Sequence, residues 1–455
     1  MKIVIAGMGM VGYNLAKSLA TENNDITCID ISPDAASLAE DSLDVLSVQG
    51  NSASISVLKS ANVSKADVFI AVCNKDEVNM ISCLIAKRLG AKHTVARVRE
   101  PEFTSEIDTI KKELGIDLVI NPEYATATQI LRLLRFPNAL DIEAFYRGRV
   151  ELVGFRAQPD DFIVGQPLFA VQKKIGKSQI LFCAIERDGQ TIIPNGSSVI
   201  ESGDKVYIIG DILGVNEFFK TLGRISQKVR NVMIIGGGRT AYYLTKLLTD
   251  MNKAVKIIDK DYERCKELCI QLPEALILNG NGTEQEVLVT ENIDKTDGFV
   301  ALTGDDEDNL IISLYAKQIG VPKVISKINR QDYYDVISKL DIDSFINPKL
   351  ITAYTILHYV HGLQMGEGGK MEAIYQIAGG NADAVEFRLT DETKNLGKPL
   401  KEIGPKLKKG ILIVSIMRDG TIIIPEGSTS LLSGDNVIIV SNHERILNIN
   451  DIFND

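Results

Sequence analysis

The chain has few of the residues that bind metals or form cross-links. Of its 455 residues, six are cysteines and four are histidines. The cysteines show no paired framework and several stand in apolar runs, so we expect buried, reduced thiols, as in the cytoplasm. Cys265 and Cys269 are one helical turn apart, but a metal site would need further ligands. The sequence therefore predicts no disulfide framework and no metal site.

A positive net charge and a long apolar run are also missing. The formal net charge is −10, which argues against nucleic acid as a partner because a phosphate backbone requires a basic surface. No apolar run approaches the roughly 20 residues needed to cross a bilayer. Met1 and Lys2 lead directly into an apolar run, so we expect no signal peptide. These absences predict a cytoplasmic protein without direct membrane insertion, whose role at a membrane would come through a partner.

The sequence contains one glycine pattern twice. In each half, three small residues follow an apolar run, and an aspartate lies 23 residues after the first of them. The landmarks are Gly7, Gly9, Gly12 and Asp30 in the first half, and Gly236, Gly238, Ala241 and Asp259 in the second. Two such fingerprints, each opening a half, predict two dinucleotide-type sites in one chain.

Each glycine pattern opens an alternation of apolar strands and amphipathic helices. Residues 1–120 read as six strands with five helices between them, the last helix at 102–114, and residues 230–346 repeat this order. Alternation of this kind predicts an α/β fold with a doubly wound, Rossmann-like parallel sheet and right-handed crossovers in each half.

A second kind of unit follows each half. After the Asn-Pro pairs at 121–122 and 347–348 we predict short helices at 125–134 and 350–360. Arg-Asp-Gly turns at 187–189 and 418–420 then join apolar runs, a hairpin signal, within small α+β modules of about 80 residues. Linkers are expected near 135–143, 220–228 and 362–370. The predicted domains are 1–123, 141–225, 229–349 and 371–455.

The first glycine loop has the chemistry of a phosphate site. Gly7 permits a tight turn, Gly9 lets backbone approach a pyrophosphate, and Gly12 lets the helix pack close to the sheet. The Asp30 carboxylate could accept both ribose hydroxyls and would repel a 2′-phosphate, which favours NAD-type or ATP-type ligands over NADP. The alternative is a tight turn between strand and helix that binds nothing.

For each of the other candidate residues, the sequence leaves two interpretations open. Arg239, which follows Gly238 in the second loop, contacts phosphate or is solvated. Asn51 and Asn281 border an adenine pocket or only form turns. Arg97 and Lys327 interrupt apolar fifth strands and need an anion, either phosphate or Glu77 and Glu307. Arg99 is expected to be solvated.

Groups for catalysis are missing from both halves. A nicotinamide dehydrogenase needs a proton donor or acceptor near the hydride path, and neither half offers such a constellation, nor a Walker-type loop. Two nucleotide sites without catalytic groups indicate sensing and not an enzyme.

Together these motifs resemble the TrkA family, the peripheral nucleotide-binding subunits of Trk potassium uptake systems. The resemblance rests on residues 1–12, on residues 22–27 and on the tandem order of large and small domains, and it covers essentially the whole chain. It implies two RCK N-terminal (Rossmann) domains, each followed by a small RCK C-terminal domain. It also implies self-association into a ring, as a homodimer or homotetramer, that binds NAD(H), ATP or ADP and gates a TrkH-like potassium-conducting membrane protein from its cytoplasmic face.

The residues assigned to the cofactor sites follow the two motifs. The first set is Gly7, Met8, Gly9, Met10, Val11, Gly12, Asp30, Asn51, Ala71 and Arg97. The second set is Gly236, Gly238, Arg239, Thr240, Ala241, Asp259, Asn281 and Lys327. Many relatives carry Asp where Asn51 and Asn281 stand, and the basic residues differ between halves, so different ligands at the two sites are compatible with the sequence. The alternative functions are a duplicated NAD-dependent oxidoreductase, or a regulator of potassium efflux or of another ion transporter.

Overall fold

The computed structural model of the chain describes residues 1–22, 24–146, 148–176, 180–224, 228–330, 340, 342–363, 365–366, 369–442, 446 and 448–454. Its α-helices are α1 (Met10–Ala20), α2 (Pro33–Ser42), α3 (Ile55–Ser60), α4 (Asp76–Leu89), α5 (Pro101–Ser105), α6 (Ile107–Leu114), α7 (Pro122–Arg135), α8 (Leu168–Ile175), α9 (Ile212–Thr221), α10 (Arg239–Asp250), α11 (Tyr262–Gln271), α12 (Gln285–Thr290), α13 (Asp306–Ile319), α14 (Pro348–Leu363) and α15 (Leu400–Ile403).

The strands form four sheets. In the first half they are β1 (Lys2–Ala6), β2 (Asp25–Asp30), β3 (Leu46–Gln49), β4 (Val68–Ala71), β5 (His93–Arg97), β6 (Leu118–Ile120), β7 (Asp141–Phe145), β8 (Val150–Arg156), β9 (Ile180–Arg187), β10 (Gln190–Ile192) and β11 (Lys205–Asp211). In the second half they are β12 (Asn231–Ile235), β13 (Ala254–Asp259), β14 (Leu276–Asn279), β15 (Gly298–Ala301), β16 (Lys323–Lys327), β17 (Ser344–Ile346), β18 (Met365–Gly366), β19 (Gly369–Ile377), β20 (Ala382–Leu389), β21 (Ile411–Arg418), β22 (Thr421–Ile423) and β23 (Asn436–Ser441).

The two predicted Rossmann-like sheets are confirmed. Both are parallel and six-stranded, in the orders β3-β2-β1-β4-β5-β6 and β14-β13-β12-β15-β16-β17. Helices cover both faces of a doubly wound sheet, so its central strands are apolar throughout. Residues 3–6 of β1 and 232–235 of β12 are accordingly buried. The order reverses between β1 and β4, and between β12 and β15, which places a cleft beside each glycine loop.

The small modules are antiparallel sheets, in the orders β10-β9-β11-β8-β7 and β18-β19-β20-β23-β21-β22. Their predicted hairpins are confirmed. Asp188 and Gly189 have φ values of 51° and 75°, and Asp419 and Gly420 have 49° and 79°. Two consecutive residues with positive φ form the turn that matches the twist of a two-residue hairpin.

Several predicted boundaries were wrong. The helices after the Asn-Pro pairs begin at the proline and not at residues 125 and 350, because the Asn121 side chain accepts from the Tyr124 N–H at 2.9 Å and proline fits the first helical position. The predicted helix 102–114 is two helices that meet at Glu106. The domain limits stay predictions.

Helices and strands extend into all three predicted linkers. Strand β7 begins inside 135–143, and helix α9 reaches Thr221. Helix α14 reaches Leu363, and β18 and β19 form a hairpin in the Gly-rich stretch 362–370. Residues 225–227, 364, 367 and 368 of these predicted linkers lie outside the described residues.

The two halves exchange helices. Helix α7 ends the first Rossmann unit but packs on α10, the first helix of the second unit, and α14 packs reciprocally on α1. Ile130 and Leu134 share a core with Leu244 and Leu248, while Ile356 shares a core with α1. Each half thereby buries an apolar helix face that belongs to the other half.

The small sheets also share a core. Residues of β8 and β11 pack with residues of β20 and β23 in one apolar cluster. The Tyr146 hydroxyl donates to the Ser415 carbonyl at 3.2 Å, and the Tyr375 hydroxyl donates to the Ala144 carbonyl at 3.0 Å. All four units are therefore connected through buried contacts. Among the described residues, no helix combines the length and apolar character that a bilayer span requires.

A buried lysine fixes the connection between the first Rossmann unit and the first small module. Lys323 of β16 is fully buried, and its Nζ donates to the Ala139 carbonyl at 2.5 Å and to the Ser344 hydroxyl at 2.9 Å. The Ser344 hydroxyl in turn donates to the Leu140 carbonyl at 2.9 Å. Burial lowers the pKa of Lys323 to about 8, because the charged form has lost its hydration.

This pKa predicts a specific pH dependence of stability. Between about pH 8 and pH 10 the unfolded chain keeps a proton on Lys323 that the folded chain has lost, since the unperturbed pKa of lysine is about 10.4. The free energy of unfolding should therefore rise with pH across this window, by up to about 1.4 kcal/mol per pH unit. We expect Lys323→Met to lose that rise, measured as the urea midpoint against pH.

The matched control is Lys295→Met, which removes an exposed lysine of the same Rossmann unit. Its urea midpoints should follow those of the unsubstituted protein at every pH. Parallel profiles for Lys323→Met and the unsubstituted protein would contradict the inferred loss of the buried charge.

Candidate functional site

The three glycines of the first loop have different physical roles. Gly7 has φ 97°, and a Cβ there would lie 2.8 Å from the Cys73 nitrogen. A Cβ on Gly12 would lie 1.9 Å from the Gly7 carbonyl oxygen, so the helix approaches the loop itself. A Cβ on Gly9 would meet no atom within 4 Å. Gly7 and Gly12 are therefore needed by the turn, whereas Gly9 borders open space that a ligand can enter.

The second loop repeats this arrangement. Gly236 has φ 98°, and its Cβ would lie 2.8 Å from the Leu302 carbonyl oxygen. Gly238 begins α10 as Gly9 begins α1, and a Cβ on it would also meet open space. Thr240 lies in the first turn of α10, and Ala241 is buried there in the core. The free N–H groups at the start of each helix can bind an anion.

Asp30 and Asp259 hold the glycine loops in addition to facing the clefts. One Asp30 carboxylate oxygen accepts from the Met8 N–H at 2.6 Å, and the other accepts from the Ser32 N–H at 2.8 Å. Asp259 accepts in the same way from Gly237. Each carboxylate oxygen has a further lone pair, so both aspartates can still accept from ribose hydroxyls. The sequence reasoning missed this backbone role.

The first cleft is a cavity of about 470 Å³. Seven of the ten predicted residues line it: Gly7, Gly9, Met10, Val11, Asp30, Asn51 and Arg97. Met8 and Gly12 lie behind the loop, and Ala71 is fully buried in β4. The Asn51 side chain is exposed and accepts from the Ala53 N–H at 3.0 Å, which leaves its amide nitrogen without a hydrogen-bond partner among the described residues.

Arg97 is the cation of the first cleft. Its Nη2 donates to the Cys73 carbonyl at 2.7 Å, while its Nε is buried with no hydrogen-bond partner among the described residues. Burial lowers the pKa of Arg97 through desolvation of the guanidinium. Glu77, a predicted partner, is exposed on α4 and makes no hydrogen bond with Arg97. Arg97 therefore lines the cleft without a hydrogen-bonded carboxylate among the described residues, which suits an anionic ligand.

Two further lysines line the first cleft. Lys75 precedes α4, and Lys349 begins α14. Lys349 reaches this cleft because α14 packs on α1, a tertiary contact that carries no local sequence signal. Lys75 could have been noticed, because it stands where the second half has Asp305.

The second cleft has an equivalent glycine loop, but most of the charged residues that line it are acidic. Its cavity is smaller, about 270 Å³, and of the predicted residues it is lined by Gly236, Asp259 and Asn281. Asp305 and Asp308 add two carboxylates, against the single cation Lys260. The Asn281 amide nitrogen donates to Glu284 at 2.8 Å, so this side chain stabilises its own turn.

The two basic residues predicted for the second site lie off this cavity. The Arg239 guanidinium pairs with the Glu100 carboxylate of the first half, through Nε at 3.3 Å and through Nη2. The Lys327 Nζ donates to the Leu302 carbonyl at 3.3 Å, and burial lowers its pKa. Neither is solvated as a lone cation. Their assignment to a phosphate site, like the rest of the site assignment, stays a prediction.

Two predicted ionic roles were wrong. Glu307 pairs with Arg330 at 2.9 Å and is not the partner of Lys327. Arg99 was expected to be solvated, but it pairs with Glu123 at 2.7 Å. Glu123 and Lys349 occupy the equivalent second positions of α7 and α14. The two exchanged helices therefore begin with side chains of opposite charge.

Comparison with known proteins agrees with the repeated architecture. The model of the TrkA-N domain matches residues 3–122 and 232–348, and the model of the TrkA-C domain matches residues 152–223 and 384–454. Among solved structures, a GsuK channel superposes with a TM-score of 0.62 at 17% identity, covering 97% of this chain and 76% of that chain. A GsuK channel bound to NAD gives a TM-score of 0.61 with the same identity and coverage. At these identities the likeness shows the fold.

Curated relatives match over the full length. A Trk system potassium uptake protein TrkA homolog 2 of Methanosarcina mazei is 33% identical, covering 100% of both chains. The Trk system potassium uptake protein TrkA of Vibrio alginolyticus is 33% identical, covering 96% of this chain and 95% of that protein. With both halves matched by the same two domain models and relatives aligned from end to end, the chain belongs to the TrkA family of Trk system potassium uptake proteins.

Proposed function

We propose that the chain is a cytoplasmic nucleotide-sensing subunit that regulates potassium uptake through a TrkH-like membrane protein and is not an enzyme. The observation that carries the proposal is the first cleft. There an open glycine-loop backbone, the Asp30 carboxylate and the Arg97 side chain line one cavity. This is the donor and acceptor set that the phosphates and ribose of a nucleotide require.

The ligands of this proposal are NAD(H), ATP and ADP. Lys75, Arg97 and Lys349 line the first cleft against one carboxylate, which favours a ligand with several phosphate charges such as ATP. The carboxylates of Asp259, Asp305 and Asp308 in the second cleft oppose such a ligand and favour one with less charge, such as NAD(H). The NAD named with one GsuK structure supports NAD as a ligand of this fold.

The contacts between halves supply a route for regulation. Lys349 belongs to α14, so a phosphate bound to it would pull on a helix that the second half provides. Arg239 is held by Glu100 in this arrangement, and a phosphate at the second loop would compete for it. A nucleotide that makes these contacts in only one arrangement shifts the population toward that arrangement. Within a ring of two or four chains, such shifts would gate the potassium-conducting partner.

The enzyme alternative lacks support at the cleft. Hydride transfer requires a nearby proton donor or acceptor, and the described residues that line the first cleft include no histidine and no tyrosine, which leaves Lys75 and Lys349 as the candidates for that role. Oxidation of bound NADH by added small carbonyl compounds would favour the oxidoreductase reading instead.

Calorimetric titration with NADH, NAD, ATP and ADP tests the two sites. We expect two binding events. Asp30→Ala should weaken one of them by about 10- to 100-fold, because hydrogen bonds to a charged group contribute about 1.5–3 kcal/mol. Asp259→Ala should weaken only the other event, so each variant serves as the control for its counterpart.

Because Asp30 also holds the Met8 N–H, thermal unfolding must be measured on the same samples. Asp30→Asn retains an acceptor for that N–H and separates loss of the loop from loss of the ribose contact. Simultaneous loss of both binding events in one variant would refute independent sites, and no binding in the unsubstituted protein would refute nucleotide sensing.

Release of Arg239 gives a second prediction. Glu100→Gln removes the carboxylate that holds Arg239. If Arg239 contacts phosphate at the second loop, nucleotide binding there should tighten by up to about fivefold, because an exposed ion pair contributes at most about 1 kcal/mol. Glu113→Gln, which removes an exposed carboxylate on α6, should leave this affinity unchanged. Unchanged binding in Glu100→Gln would argue that Arg239 serves only the contact between halves.

A further inference from the structure

The two helix exchanges create two equivalent joints with different chemistry. The first joint lies between α7 and the end of α10, and the second lies between α14 and the end of α1. The shift that relates Asn121 to Asn347 also relates Arg135 to His361. The shift that relates Gly7 to Gly236 also relates Glu22 to Met251. The same two positions can therefore be compared directly in both joints.

The second joint contains an internal acid. The His361 Nε2 and the Glu22 Oε2 are 2.9 Å apart, and their side chains are only 2% and 3% exposed. This hydrogen-bonded pair fills the space between the end of α14 and the end of α1.

The first joint lacks the acid and contains a cavity. Met251, which stands at the position of Glu22, is 41% exposed. The cavity beside it has a volume of about 630 Å³ and an apolar floor that includes Leu134, Phe219 and Leu248. A volume of this size is typical of sites for small organic ligands.

All the charged residues that the structure describes around this cavity are basic. They are Arg135, Lys220, Arg224, Lys228 and Lys253. Arg224 is already neutralised by Asp161, which accepts from both its Nε and its Nη2. The other four form no ion pair with any described residue. In a chain of net charge −10, these four cations lie beside an apolar surface without an acidic partner in the described part of the chain, which suits an anion that also carries an apolar body.

We propose that this joint cavity binds a small amphipathic carboxylate, whose head group lies where Glu22 lies in the other joint and whose apolar body covers the floor. The head would contact Arg135 and the lysines, and the body would replace the protein atoms that the second joint supplies. The cavity is bounded by α7, by α9 of the first small module and by α10 of the second Rossmann unit. An occupant would therefore stabilise the arrangement of three units, by a free energy that grows with the logarithm of its concentration relative to its dissociation constant.

Titration of the full-length protein with decanoate, followed by calorimetry, tests this inference. We expect saturable binding at one site per chain, and decanol, which has the same apolar body without charge, should bind at least about tenfold more weakly. Met251→Glu supplies the acid internally, as Glu22 does, and should weaken decanoate binding at least about tenfold. Met251→Leu keeps an apolar side chain of similar volume and should bind decanoate like the unsubstituted protein.

Arg135→Gln provides an independent variant if Met251→Glu does not fold, and it should also weaken binding. ATP affinity at the first cleft should be unchanged in each folded variant, so failure of this inference is distinguishable from failure of nucleotide sensing. Non-saturable binding, equal binding of decanol, or full affinity in Met251→Glu would overturn it. Binding only to phosphatidylglycerol vesicles, with none to free decanoate, would overturn it as well, since it would indicate a membrane surface and not a small carboxylate.

Discussion

The arrangement of this molecule depends on one constraint: the helix that ends each Rossmann unit buries much of its apolar face on the other unit. Helix α7 packs on α10 and α14 packs on α1. Because the exchange is reciprocal, neither half completes its core alone. The same packing brings Lys349 to the first cleft, so it determines electrostatics as well as stability. The buried Lys323 adds a polar attachment of the intervening chain to β16.

Duplication has preserved the backbone of the two clefts while changing their charges. Gly7 and Gly236 have nearly the same φ, and Asp30 and Asp259 hold their loops through equivalent hydrogen bonds. Around these fixed parts, Lys75 is replaced by Asp305 and Met10 by Arg239. A side chain at the rim can change sign without disturbing the turn, whereas a Cβ at Gly7 would collide with backbone. The physical requirement for the turn therefore explains why the halves agree in fold and differ in chemistry.

The two joints likewise agree in fold and differ in the charges of their side chains. The second joint is closed by Glu22 and His361, whereas the first leaves Arg135 and three lysines around a cavity. Charge differences between clefts and between joints break the symmetry of the repeat. The contacts between halves also continue into the small sheets, which share an apolar core through Tyr146 and Tyr375.

The sequence by itself determined the features that depend on neighbours along the chain. Strand and helix alternation predicts the parallel sheets, Gly7 and Gly12 predict the tight turn, and Asp188-Gly189 predicts the hairpin, because each is a local backbone requirement. Only the tertiary structure decided which charges meet. It paired Arg239 with Glu100, Arg99 with Glu123 and Glu307 with Arg330, and it brought Lys349 into a cleft of the other half. The Arg99–Glu123 and Glu307–Arg330 pairs join different elements within one half. The Arg239–Glu100 pair and the position of Lys349 join different halves, and they follow from the packing of the halves on each other, which no local pattern encodes.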